Sequence, residues 1–123
     1  MSELPLAGVL VLDMTRLLPG NFATVTLVEM GAEVIKVEAP EGDGTRWVAP
    51  HLPSGESGAF VQLNRGKRSV VVDLKTDEGR EQFAALVADA DVLVDSFRPG
   101  VLDRLGFGPD RLRALRPDRK SVV

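Results

Sequence analysis

The chain has 123 residues, 44% of them hydrophobic and 27% charged, with a formal net charge of -3 and no cysteine. That length holds one small domain with a single core, and the composition is that of a globular protein rather than a disordered or fibrous one. The absence of cysteine excludes disulfides, thiolate nucleophiles and cysteine metal sites, and the slight negative charge argues against a general nucleic-acid binder, whose affinity comes from a basic face.

Residues 8–14 (GVLVLDM) form a short apolar run rich in Val and Leu, the pattern of a strand buried on both faces. RLLPGN breaks the run. From residue 22 to residue 30 apolar side chains then recur at helical spacing, up to Gly31, which suits a left-handed C-terminal cap. Residues 33–37 (EVIKV) restore the buried-strand pattern, so strand, helix and strand make a right-handed crossover with parallel strands. Residues 39–58 are rich in Gly, Pro, Ser and charge, and are expected to form a long surface loop of the kind that serves function. His51 and Trp47 lie in it and take no role. Residues 69–74 (SVVVDL) give a third buried strand, and Thr76 is placed to cap a helix that carries Asp77 and Glu78 in its first turn and runs to about residue 88. Residues 91–94 (DVLV) give a fourth strand, followed by a turn at Pro99 and Gly100, a short helix over residues 101–105 and a last helical turn or two at residues 110–115.

These elements predict an α/β fold with a doubly wound, mostly parallel, Rossmann-like sheet, in which ligands sit outside the carboxyl ends of the strands. The residues at those places are Arg16, Leu17, Leu18 and Pro19, then Glu38, then Lys75, then Ser96, Phe97 and Arg98, with Arg104 on the short helix beyond. The segment LNRGKRSVVVDLK at residues 63–75 sets Arg65, Lys67 and Arg68 before the third strand and Lys75 after it. Such a cluster suits a phosphate-bearing ligand, against the plainer alternative of a solvated loop. Glu38 at the end of the second strand invites comparison with dinucleotide-binding domains. The first turn, RLLPGN, lacks the G-x-G-x-x-G spacing that brings backbone amides to a pyrophosphate, so Glu38 is expected to be a solvent-facing carboxylate.

Four segments in order, GVLVLDMTRLLPG, GAEVIKVEAPEGDGTR, LNRGKRSVVVDLK and ADVLVDSFRPGVLDRLGFG, cover most of the chain. With them the sequence resembles the N-terminal part of the class III coenzyme A transferases, the group of formyl- and carnitine-CoA transferases and α-methylacyl-CoA racemases. The resemblance implies a CoA-binding portion of an enzyme that moves CoA between carboxylic acids through a covalent aspartyl intermediate, the aspartate lying beyond Val123, so no catalytic residue is expected in the chain. It implies coenzyme A or acyl-CoA as substrate, a carboxylic acid as the second reactant, no prosthetic group and, for full-length members, an interlocked homodimer. It places CoA contacts on Leu17, Leu18, Val72, Asp73, Leu74, Lys75, Ser96, Phe97, Arg98 and Arg104. Lys75, Arg98 and Arg104 suit the phosphates, while Leu17, Leu18, Val72 and Leu74 offer apolar surface, although without the resemblance those four read as core. An α-methylacyl-CoA racemase fragment and a non-catalytic CoA- or nucleotide-binding module are the alternatives.

No stretch approaches the roughly 20 apolar residues of a membrane helix, and MSELPLAGVL lacks the basic region and cleavage site of a signal peptide, so a cytoplasmic location with no membrane partner is expected. The resemblance implies that residues 1–117 correspond to the N-terminal part of the family's large domain. Residues 118–123 (DRKSVV) form an atypical tail where the family continues into an apolar strand, as in a truncated reading frame. The expected sheet is incomplete at its C-terminal end, with an open edge prone to aggregation.

Overall fold

The computed structural model describes residues 3–117 and 120–122. Strands β1 (Leu10–Met14), β2 (Glu33–Glu38), β3 (Arg68–Val71), β4 (Val92–Asp95) and β5 (Lys120–Val122) form one sheet in the order β3-β2-β1-β4-β5, and every pairing is parallel. Helices α1 (Leu17–Glu29), α2 (Gly58–Asn64), α3 (Asp77–Asp89), α4 (Val101–Arg104) and α5 (Pro109–Leu115) complete the described elements.

Alternation along β1 divides the core in two. Leu12 and Met14 join Val37, Leu93, Phe83 and Val87 on the face covered by α3 and α5, and Val11 joins Val34 and Ala32 on the face covered by α1. The sheet is therefore doubly wound, as expected. Thr76 caps α3 by accepting the Gly79 amide at 3.0 Å, and Gly31, at φ 102°, ends the α1 turn with its amide on the Val28 carbonyl at 2.9 Å. Among the described residues no helix is long and apolar enough to cross a membrane.

The expectations fail locally in four places. The third strand, expected to be buried over residues 69–74, ends at Val71 and lies at the sheet edge with Val71 exposed, because only β2 flanks it. RLLPGN is not a break but the first turn of α1, which starts at Leu17 rather than residue 22. Pro19 is tolerated there because its missing N–H would have had no partner in a first turn. Residues 39–58 are not simply a surface loop: Asp43 caps a 3-10 turn at Gly44–Trp47, and Asp43, Thr45 and Ser57 are buried. Ser57 then caps α2, which sequence reading missed. The signal was present, since Ser57 precedes GAFVQLN with Phe60 and Leu63 at helical spacing. Finally, the strand expected to be absent from the tail exists as β5, paired with β4 through Val92↔Lys120 and Val94↔Val122. Three residues suffice because a parallel neighbour supplies the hydrogen bonds whatever the side chains. Residues 118, 119 and 123 lie outside the described residues.

Candidate functional site

The carboxyl ends of β1, β2, β3 and β4 open on one cleft of about 990 Å³. The β1 turn brings Arg16 and Leu17, the β2 loop brings Glu38 to Asp43, the β3 end brings Val72, Asp73, Leu74 and Lys75, and the β4 end brings Ser96, Phe97 and Arg98. Helix α4 adds Arg104, its start fixed by Gly100 at φ 86°. Of the predicted contact residues only Leu18 lies outside the lining; it sits on the outer face of the first α1 turn, 61% exposed. Leu17 is likewise exposed and not core, whereas Val72 is buried at 3%. Asp73 accepts the Lys75 amide at 3.0 Å and so shapes its own loop.

The basic residues sort cleanly. Arg65 pairs with Glu29 and Arg68 with Glu33, and the Lys67 side chain, 1% exposed, reaches Asp13 at 3.0 Å. The cluster before β3 is thus taken up by carboxylates, Arg65 and Arg68 at the surface and Lys67 in the interior, and of the four basic residues in residues 63–75 only Lys75 lines the cleft. By contrast Lys75, Arg98 and Arg104 are exposed on the cleft and have no ion-pair partner among the described residues. Arg16 stacks over the Phe97 ring at 5.0 Å, which steadies both at the mouth.

Beneath the cleft lies a buried ionic cluster that sequence reading missed. Lys36 Nζ pairs with Asp43 Oδ2 at 2.7 Å, both side chains 1% exposed, and also donates to Asn21 Oδ1 at 2.7 Å and the Thr15 carbonyl at 3.1 Å. Asp43 also accepts from Asn21 Nδ2 at 3.0 Å and from the Thr45 amide at 2.8 Å. Asp13, fully buried, takes Lys67 and the Thr24 hydroxyl at 2.6 Å. Two carboxylates thus face two ammonium groups, which is what burial of charge requires. The signal was a lysine and an aspartate inside runs read as buried on both faces, where neither side chain can reach water.

Glu38 is not solvent-facing but 4% exposed. Arg46 grips it bidentately at 2.8 and 2.6 Å while lying over the Phe60 ring, and the Ser69 hydroxyl and Asp43 amide also donate to it. Burial by itself would raise its pKa, but the hydrogen bonds from Arg46, Ser69 and Asp43 reverse that and hold it at about 2. Burial opposes the Asp43 carboxylate in the same way, and the bonds from Lys36, Thr45 and Asn21 bring it well below the usual range. Both folded values lie below the unfolded ones, so this stabilisation is fully present above about pH 4.5 and is lost as pH falls toward 2. Urea midpoints should therefore drop steeply between about pH 5 and 3, with Glu38 accounting for on the order of 3 kcal/mol across the whole window. A flat profile over that range would contradict the pairing.

The profile of CoA-transferase family III matches residues 6–118. The chain belongs to this family. Among its relatives, the chain is 47% identical over 116 residues to a probable fatty acyl-CoA transferase of Mycobacterium tuberculosis, covering 93% of this chain and 29% of that protein. It is 45% identical over 112 residues to the formyl-CoA:oxalate CoA-transferase of Streptomyces avermitilis, covering 91% and 27%. A solved CAIB/BAIF family protein from Brucella suis superposes with a TM-score of 0.90 at 41% identity over 98% of this chain and 33% of that one. The chain thus spans under a third of the length of these curated relatives.

Proposed function

We propose that this chain is the coenzyme A-binding portion of an acyl-CoA:carboxylate CoA-transferase, acting on a CoA thioester and a carboxylic acid, with the thioester carried through a covalent aspartyl intermediate outside this chain. The observation that carries the proposal is the sorting of cations. Among the described residues Lys75, Arg98 and Arg104 stand without carboxylate partners around one cleft, whereas Arg46, Arg65, Lys67 and Arg68 are paired. Unpaired guanidinium and ammonium groups on a cleft also lined by Leu17, Val72, Leu74 and Phe97 fit a ligand with phosphates at one end and an extended, less polar arm. Val72, Leu74, Leu17 and Phe97 would meet the adenine or the arm, with Ser96 as a hydrogen-bonding group and Asp73 as the residue that shapes the loop under Lys75.

The test is calorimetric titration of the chain with CoA and, separately, with NAD. Binding of CoA in preference to NAD is expected. Arg98→Ala, Arg104→Ala and Lys75→Ala should each weaken it about tenfold, through loss of a charge-assisted contact. Arg65→Ala should leave it unchanged. Equal binding of both ligands, or equal effects of Arg65→Ala and Arg104→Ala, would overturn the assignment. For a full-length protein carrying this chain, exchange of CoA between an acyl-CoA and a free carboxylate is the expected activity, and its absence would sink the transferase function.

A further inference from the structure

Leu17 has φ 62°, and among the described residues it is the one non-glycine with a positive φ. A leucine gains nothing from that conformation, because its Cβ crowds the following carbonyl and the side chain, 54% exposed, is not drawn there by burial. Something else must hold the turn at residues 15–17 in place. Lys36 donates to the Thr15 carbonyl at 3.1 Å on one side of the turn, and Asp43 Oδ1 accepts the Leu17 amide at 3.4 Å on the other. These two residues are ion-paired with each other at 2.7 Å. Between them, the Arg16 amide donates to Ser96 Oγ at 3.1 Å. The surroundings are cut to fit: a Cβ on Gly20 would fall 2.1 Å from Thr15 Cβ, and one on Gly44 would fall 3.0 Å from Leu17 Cδ2.

We infer that the buried Lys36–Asp43 pair is a positioning device for the cleft, holding Leu17 in a left-handed conformation so that the turn is set before the ligand arrives. This rests on the CoA-binding function proposed above. Both side chains border the cleft but are 1% exposed, so the pair acts through the backbone of residues 15–17. Strain that the fold imposes in advance is strain the ligand does not have to impose, so a turn released from the pair binds through a fraction of its population and with a lower apparent affinity.

Two measurements on the 123-residue chain decide the matter. The first needs no ligand: the Leu17 Cα and Cβ chemical shifts report its backbone region. They should be left-handed in the wild-type chain and move toward right-handed or extended values in Asp43→Asn, whose amide cannot serve both the Lys36 and Asn21 side and the Leu17 and Thr45 side. Lys36→Met provides a second way to break the pair if Asp43→Asn does not fold. Left-handed shifts retained in either folded variant would overturn the inference. The second is a double-mutant cycle read by CoA affinity. Asp43→Asn should weaken binding about tenfold with Leu17 present, but less than about threefold in a Leu17→Gly background, since glycine adopts the left-handed region without strain. Equal losses in both backgrounds would mean that the pair supports the fold only. No CoA binding by the wild-type chain would instead overturn the proposed function, while the chemical shifts still report whether the pair holds the turn.

Discussion

Asp43→Ala is expected to lower the free energy of unfolding by about 3–5 kcal/mol, the cost of leaving a buried ammonium without its carboxylate. Lys36 is 1% exposed and cannot turn to water. After the substitution it keeps only the Thr15 carbonyl and Asn21 Oδ1, neither of which carries a charge. The Thr45 and Asn21 donors lose their acceptor as well. A domain of this size has roughly 5–15 kcal/mol to lose, so the variant should be close to unfolding at physiological temperature. Replacing both partners, Lys36→Met with Asp43→Leu, should recover part of the loss, because two desolvation costs disappear together; recovery stays partial since the Thr45 and Asn21 donors remain unserved. Urea titration of the three proteins measures both effects. A loss below about 1 kcal/mol for Asp43→Ala would mean that Lys36 finds water, and the description of the cluster as dry would be wrong.

Phe83→Ala should cost a comparable 3–5 kcal/mol, from lost transfer free energy plus the cavity left behind. Phe83 is 0% exposed on α3 and meets the Phe107 ring edge-on, centroids 4.7 Å apart and planes at 90°. The pair joins α3 to the segment after α4, where the Phe107 amide donates to the Leu102 carbonyl at 2.8 Å. The cavity therefore opens beneath the helix that carries Arg104, and CoA affinity is expected to fall along with stability. Phe83→Leu, which fills most of the volume, should cost less than half as much. Equal losses for the two variants in urea titration would show that ring geometry rather than volume governs this part of the core.

How far the fold could be read in advance follows from which residues act locally. The β1-α1-β2 crossover was legible because continuous apolar runs and Gly31 encode strand, strand and cap within a few residues of each other. The α3 cap was legible for the same reason: Thr76 meets Gly79 three positions on. The start of α1 was not, since Leu17 enters the helix through a backbone region that only contacts from residues 43, 44 and 96 make tenable. Helix α2 and β5 were missed because short elements owe their existence to packing and pairing more than to propensity.

The sequence alone determined the parallel α/β sheet and the strand ends that line the cleft, because these depend on apolar periodicity, caps and turns, each encoded within one stretch of chain; the resemblance carried by four ordered segments pointed to the family and to contact residues of which all but Leu18 line the cleft. Only the tertiary structure decided which charges are available. Arg65, Lys67, Arg68, Lys75, Arg98 and Arg104 look alike in a string of letters. Carboxylates brought from distant segments neutralise the residues before β3 and leave those around the cleft exposed. The burial of Lys36 against Asp43, and with it the left-handed turn at Leu17, is likewise a product of chain crossing, since the interaction of two charges depends on their separation in space and on the water excluded between them.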